Sequence, residues 1–171
     1  MNDESQPASL LKKFTVGENV KTTVRRAILL ALFCLLLFNY VLLPVRVRGI
    51  SMEPTFHDGS WHVANLLQFA TRGPRRGEVV VISMVGGRRT LYLKRVLGLP
   101  GETIHFFNGQ MIVNGREETE PYLGDRGKWT LPQVTLAADE YFVAGDNRTA
   151  PLETHTLGVV KRKKIAGGVF R

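Results

Sequence analysis

The chain is poor in cysteine: Cys34 stands alone among 171 residues, so no internal disulfide can form and no cysteine-rich metal site is available. Histidine is scarce too. The four (His57, His62, His105 and His155) are dispersed, with no His-x-x-x-His pair or matched carboxylate, so neither a metal nor a cofactor is expected. Missing as well are a GxGxxG after a strand and a GxxxxGK[ST] loop, which leaves nucleotide binding without support. There are no repeats or low-complexity stretches, and at 44% hydrophobic residues the chain is neither disordered nor collagen-like. A mean hydropathy near zero leaves room for one membrane span and not several.

One long apolar run is present. Residues Ala27 to Leu43 (AILLALFCLLLFNYVLL) pass seventeen positions without a formal charge, and Pro44 closes the run. As a helix at ~1.5 Å per residue it covers about 25 Å, near the short limit for a bilayer core of about 30 Å. A core helix would carry a polar stripe, and only Asn39 interrupts this one. A cleaved leader would be followed by a small-x-small site, whereas PVRVRGISM follows here. The run therefore reads as an uncleaved transmembrane anchor over 27–43, with a cytoplasmic tail over 1–26 and an outer domain over 44–171.

Lys12, Lys13, Lys21, Arg25 and Arg26 precede the run, and Arg46 and Arg48 follow it. That asymmetry places the N-terminus in the cytoplasm and the outer domain beyond the inner or plasma membrane. The whole chain carries +8, and past residue 26 there remain 18 bases against 12 acids. Anionic membrane lipid is thus an expected partner. Nucleic acid is not, because the anchor argues against it and the bases are scattered apart from Lys161 to Lys164.

Beyond Pro44 the pattern is β-rich and full of turns. Trp61–Leu67, Glu78–Met84, Leu91–Leu97, Thr103–Phe107, Gln110–Val113 and Tyr141–Ala144 read as strands by their β-branched and aromatic content. Asn108-Gly109 marks a two-residue hairpin, Asn114-Gly115 a second tight turn, and Gly73-Pro74, Gly86-Gly87 and Pro100-Gly101 further breaks. The expectation is an all-β fold of mostly antiparallel sheets with irregular loops, preceded by the single helix. Residues 115–133 are weakest in strand content and read as a long surface loop.

Two segments suggest chemistry. In Gly49-Ile50-Ser51-Met52-Glu53-Pro54-Thr55 a serine lies between a permissive and a rigid backbone position, so its hydroxyl can be held exposed. In Tyr92-Leu93-Lys94-Arg95-Val96 strand alternation puts Lys94 on one face with Tyr92 and Val96, and Arg95 on the other. A lysine against apolar surface loses its preference for the charged form, and a neutral amine can take the proton of a serine hydroxyl. The residues alone leave a second reading open, in which Lys94 snorkels from a strand edge and Ser51 is an ordinary turn residue.

SMEPT past the apolar run, RGEVVVIS, YLKRVLGLPGE and GDNR, in that order, resemble the bacterial type I signal peptidases, the serine–lysine family that also contains the mitochondrial inner-membrane peptidases. The likeness covers roughly residues 44–171. It implies Ser51 as nucleophile, with its backbone N–H in the oxyanion hole, and Lys94 as general base. Gly49 stands where some members carry a second oxyanion hydroxyl. Met52 is implied to pack beside the active site and Tyr92 against the lysine, while Asp146 and Arg148 hold the catalytic region together.

The chain departs from the family after GDNR. Pro151 stands where a serine would orient the lysine amine, and Glu153, Thr154 and His155 replace an acidic-Ser-Arg triplet, so Thr149, Thr154 or a water would have to substitute. The resemblance implies a membrane-bound serine endopeptidase that removes signal peptides from exported precursors after small-x-small sites. A processing peptidase dedicated to a pilin or secretion system is the alternative within the family. A non-catalytic membrane-tethered β domain that binds exported chains is the alternative outside it.

Overall fold

In the computed structural model, which describes residues 20–83, 91–152 and 158–170, the two Asn-Gly pairs make the turns expected of them. Asn108 and Asn114 both take positive φ, at 45° and 50°, and each pair reverses the chain between antiparallel neighbours. The strands so joined are β5 (Thr103–Phe107), β6 (Gln110–Val113) and β7 (Arg116–Glu118), and β8 (Leu131–Thr135) completes a four-stranded sheet in the order β7-β6-β5-β8.

A larger, seven-stranded sheet runs β1-β2-β11-β3-β4-β9-β10. Its members are β1 (Leu42–Arg46), β2 (Trp61–Asn65), β3 (Val79–Ser83), β4 (Leu91–Gly98), β9 (Glu140–Ala144), β10 (Gly158–Lys161) and β11 (Ile165–Val169). Every pairing is antiparallel, so the all-β expectation holds. Leu97, Ile104, Phe106, Met111, Trp129, Leu136 and Phe142 form a core drawn from both sheets. A second cluster of Val47, Met52, Phe56, Ala64, Val79 and Val81 gathers around the turn after β1.

The stretch 115–133 is more structured than a surface loop. It contributes β7 and the start of β8, and it buries Trp129 in the core. Its charged and proline residues lower the local strand signal, and pairing with β6 and β5 overrides that signal.

The chain divides into two units, 1–40 and 41–171. The described part of the first is one helix, α1 (Val20–Tyr40), with no buried residue and apolar side chains exposed all round, Ile28, Leu32, Leu35 and Phe38 among them. Asn39 spends its amide on the Leu35 carbonyl one turn back, at 2.8 Å.

The helix expected over 27–43 ends at Tyr40, because Leu42, Leu43 and Pro44 pair with Asn65, Ala64 and Val63 in β1. After Arg26 it keeps fourteen residues, about 21 Å. No helix among the described residues is long and apolar enough to cross a membrane. The tail through Asn19, the Met84 end of the second expected strand, the Gly86-Gly87 turn and the Glu153-Thr154-His155 replacement lie outside the described residues.

Candidate active site

Ser51 sits in the turn between β1 and β2, and that turn is held from three directions. Met52 and Phe56 are buried at 1% and 2% exposure, tied by the Phe56 N–H to the Met52 carbonyl at 2.9 Å, and pin the turn to the core. Gly49 takes φ +88°, a conformation in which a side chain is strained, and its N–H donates to Asp58 Oδ1 at 2.7 Å. From across the site, the Asn147 N–H donates to the Ser51 carbonyl at 3.1 Å and the Asn147 amide to that of Ile50 at 3.2 Å.

Lys94 lies in the middle of β4, opposite Val80, with 3% of its surface exposed. Its Nζ donates to Ser51 Oγ at 3.1 Å. Burial pushes the amine down from 10.5 to about 8, and the negative charge of Asp146 opposes that shift. The result is a base whose free electron pair is accessible near neutral pH, in contact with a hydroxyl.

Arg95 points to the other face, as strand alternation requires, and is also buried. A buried guanidinium needs a carboxylate, and Asp146 supplies it through Nε to Oδ1 at 2.7 Å and Nη2 to Oδ2 at 2.5 Å. Thr55 donates its hydroxyl to the same carboxylate at 2.5 Å, and Arg95 Nη1 reaches the Gly77 carbonyl at 2.6 Å. Asp146 thereby joins the serine turn to β4. Arg148 is fully buried between the Phe106 and Trp129 rings and pairs with Glu120 at 2.5 and 3.1 Å, while its Nε donates to the Gly145 carbonyl. Tyr122 lies beneath Arg95, with the guanidinium carbon 3.9 Å from its ring centroid, and donates to Glu120; burial first, and then Glu120, raises its phenol well above the usual range.

Of the residues singled out in the sequence, Ser51, Met52, Gly49 and Lys94 converge here with Asp146. Arg148 acts at one remove, on the loop that carries Asn147. Tyr92 lines a cleft of about 630 Å³ together with Ser51, Met52, Val81 and Leu93, and with Val45 to Arg48 on the β1 side. Thr149 gives its hydroxyl to Asn147 Oδ1, at 2.8 Å. No site role was expected from the sequence for Arg95, Thr55, Asn147, Glu120 or Tyr122. Alternation on β4 was the available signal for Arg95, since an arginine facing a core implies an acid. Among the described residues no cluster of three His, Cys, Asp or Glu side chains could hold a metal ion.

Comparison with known proteins gives one consistent result. The family model described as signal peptidase, peptidase S26, matches residues 20–171. Signal peptidase I of Bacillus amyloliquefaciens is 36% identical over 154 residues, 83% of this chain and 82% of that protein. Signal peptidase I V of Bacillus subtilis (strain 168) is 32% identical over 143 residues, 75% of this chain and 84% of that protein. A solved signal peptidase I from Enterococcus faecalis V583 aligns with a TM-score of 0.48 at 24% identity, over 58% of this chain and 98% of that one.

Proposed function

Since the chain belongs to the signal peptidase family, peptidase S26, a family of serine endopeptidases, we propose that it removes signal peptides from exported precursors with Ser51 as nucleophile and Lys94 as general base. The observation that carries the reading is the 3.1 Å contact between a buried amine and an otherwise ordinary turn serine. Ser51 Oγ attacks the scissile carbonyl while neutral Lys94 takes its proton. The tetrahedral oxyanion forms against the Ser51 N–H, a kind of contact worth about 3–4 kcal/mol in acyl transfer. Lys94 returns the proton to the leaving amine, then deprotonates the water that hydrolyses the acyl-enzyme.

Met52, held at the core, and Gly49, in its positive-φ turn, fix the hydroxyl, and Tyr92 borders the cleft beside the lysine. Asp146 and Arg148 brace the two sides without touching the reacting atoms. The apolar stretch Val45, Val47 and Val81 suits small residues on the amino side of the cut.

Helix α1 is proposed to hold the enzyme at the membrane as a single-pass anchor, with its N-terminus in the cytoplasm and the catalytic unit outside. An apolar surface on all sides, a back-bonded Asn39, and Lys21, Arg25 and Arg26 confined to the first two turns support that placement. Arginine side chains that reach back to the headgroups lengthen the short apolar segment.

The test is cleavage of a precursor with an Ala-x-Ala site by the purified full chain. Ser51→Ala and Lys94→Ala are each expected to remove turnover while leaving the circular dichroism of the β unit unchanged. Turnover retained by either variant would overturn the dyad.

A further inference from the structure

The cleft has a charged side that the Ser51/Lys94 chemistry does not use. The strand β1 is an edge of the seven-stranded sheet, and its pairing to β2 extends past its end: the Val47 N–H donates to the Ser60 carbonyl, and the Gly59 N–H to that of Val47, both at 2.9 Å. Val47 thus turns both backbone polar groups toward β2. Backbone groups alternate in direction along a strand, so Arg46 and Arg48 turn theirs toward the open edge, where an extended substrate can pair. Side chains alternate as well. Val47 is buried and Val45 half-buried, while Arg46 and Arg48 are exposed.

Neither arginine is neutralised. Among the described residues no carboxylate lies within ion-pair distance of either, and the bond that Arg46 makes runs from Nε to the Gly59 carbonyl at 3.3 Å. Both line the same cleft as Ser51. A substrate whose amino side occupies this cleft approaches Ser51 in the direction in which β1 runs. Its residues at minus one and minus three then share a face with Val45 and Val47, and those at minus two and minus four share a face with the arginines.

Resting on the peptidase reading above, we propose that Arg48 and Arg46 form a subsite for acidic side chains at the minus-two and minus-four positions of the substrate. The middle residue of the small-x-small site is then read by charge, and basic residues there are disfavoured. The two cations are solvent-exposed, so the discrimination is modest and depends on salt.

The experiment uses the full chain in detergent micelles and three fluorogenic peptides with Ala at minus one and minus three, differing only in Glu, Gln or Lys at minus two. The expected order of kcat/KM is Glu, Gln, Lys, with about a tenfold span between Glu and Lys near 50 mM salt that shrinks toward unity near 500 mM. Arg48→Glu should invert the order, and Arg46→Glu should do the same for a peptide series varied at minus four. A wild-type Glu-to-Lys ratio within about twofold at low salt, or a ratio that Arg48→Glu leaves unchanged, overturns the subsite while the peptidase reading stands. If no peptide is turned over, the peptidase reading falls and the subsite with it.

Discussion

In the proposed mechanism Lys94 is where stability and activity oppose each other. Its folded-state pKa, about 8, lies below the 10.5 of a free lysine because burial disfavours the ammonium. Below about pH 8 both folded and unfolded chains hold this proton, and the folded state bears the whole cost of the buried charge, on the order of 3 kcal/mol. Between about 8 and 10.5 the unfolded chain binds the proton more tightly, so stability rises with pH across that window and levels off above it. In the proposed mechanism activity rises below that window, as pH climbs toward 8, since only the neutral amine would act as the base. The expectation is a kcat/KM that climbs about tenfold per pH unit and flattens near 8, together with a Lys94→Met protein that is inactive, more stable at pH 7 and insensitive to pH from 7.5 to 10 in urea melts. A rate profile that rises only near pH 10 would contradict the buried amine. Asp146 holds the amine pKa up, so Asp146→Asn should shift the profile to lower pH. Because it strands Arg95 as a buried cation, it should also cost about 3–5 kcal/mol of stability.

At the scale of the element, β4 sends two adjacent cations to opposite faces, one to the serine and one to Asp146, and the site depends on that register. The segment between β7 and β8 supports it from behind. Gly127 there sits at φ +64°, and a Cβ would overlap the Arg148 carbonyl oxygen, so the segment approaches the loop of Asp146 and Asn147 closely. Gly127→Ala is expected to lower the denaturation midpoint by the equivalent of about 3 kcal/mol and to depress turnover through Asn147; unchanged melting would show that the loop yields easily.

This support was the least legible part of the molecule in sequence. The strands β5, β6 and β9 are readable from apolar and aromatic content, and the Asn-Gly turns mark both ends of β6. In β7 (REE), β8 (LPQVT) and β11 (IAGGV) charge, proline and glycine hide a strand that only its partners create. Ser51 and Lys94 stood out through short motifs, whereas Glu120 and Thr55 have no local signature. They matter because Arg148 and Asp146 fold against them from 28 and 91 residues away.

For the whole molecule the question is how the proposed anchor would serve a peptidase whose substrates are exported precursors with signal peptides. The apolar run was legible in sequence, but its last residues serve two demands, and β1 takes Leu42 and Leu43 for pairing with β2. That leaves α1 with a short apolar segment, so the insertion proposed above should be sensitive to added charge. A lysine at the centre of a bilayer-spanning helix costs about 2.5–3.5 kcal/mol, so Leu32→Lys combined with Leu36→Lys adds roughly 5–7 kcal/mol against insertion, more than a segment of this length has in reserve. The wild-type chain is expected to stay with membranes in alkaline carbonate, and the double variant to be released. In detergent both should show the same thermal melt of the β unit and cleave a short peptide equally, because Leu32 and Leu36 are exposed on α1, in a unit separate from residues 41–171. On a precursor embedded in vesicles the variant should slow sharply, since enzyme and substrate no longer share a plane. Carbonate release of the wild-type chain, or equal rates of both proteins on the embedded precursor, would remove the anchor from the mechanism and leave the dyad chemistry of Ser51 and Lys94 standing without it.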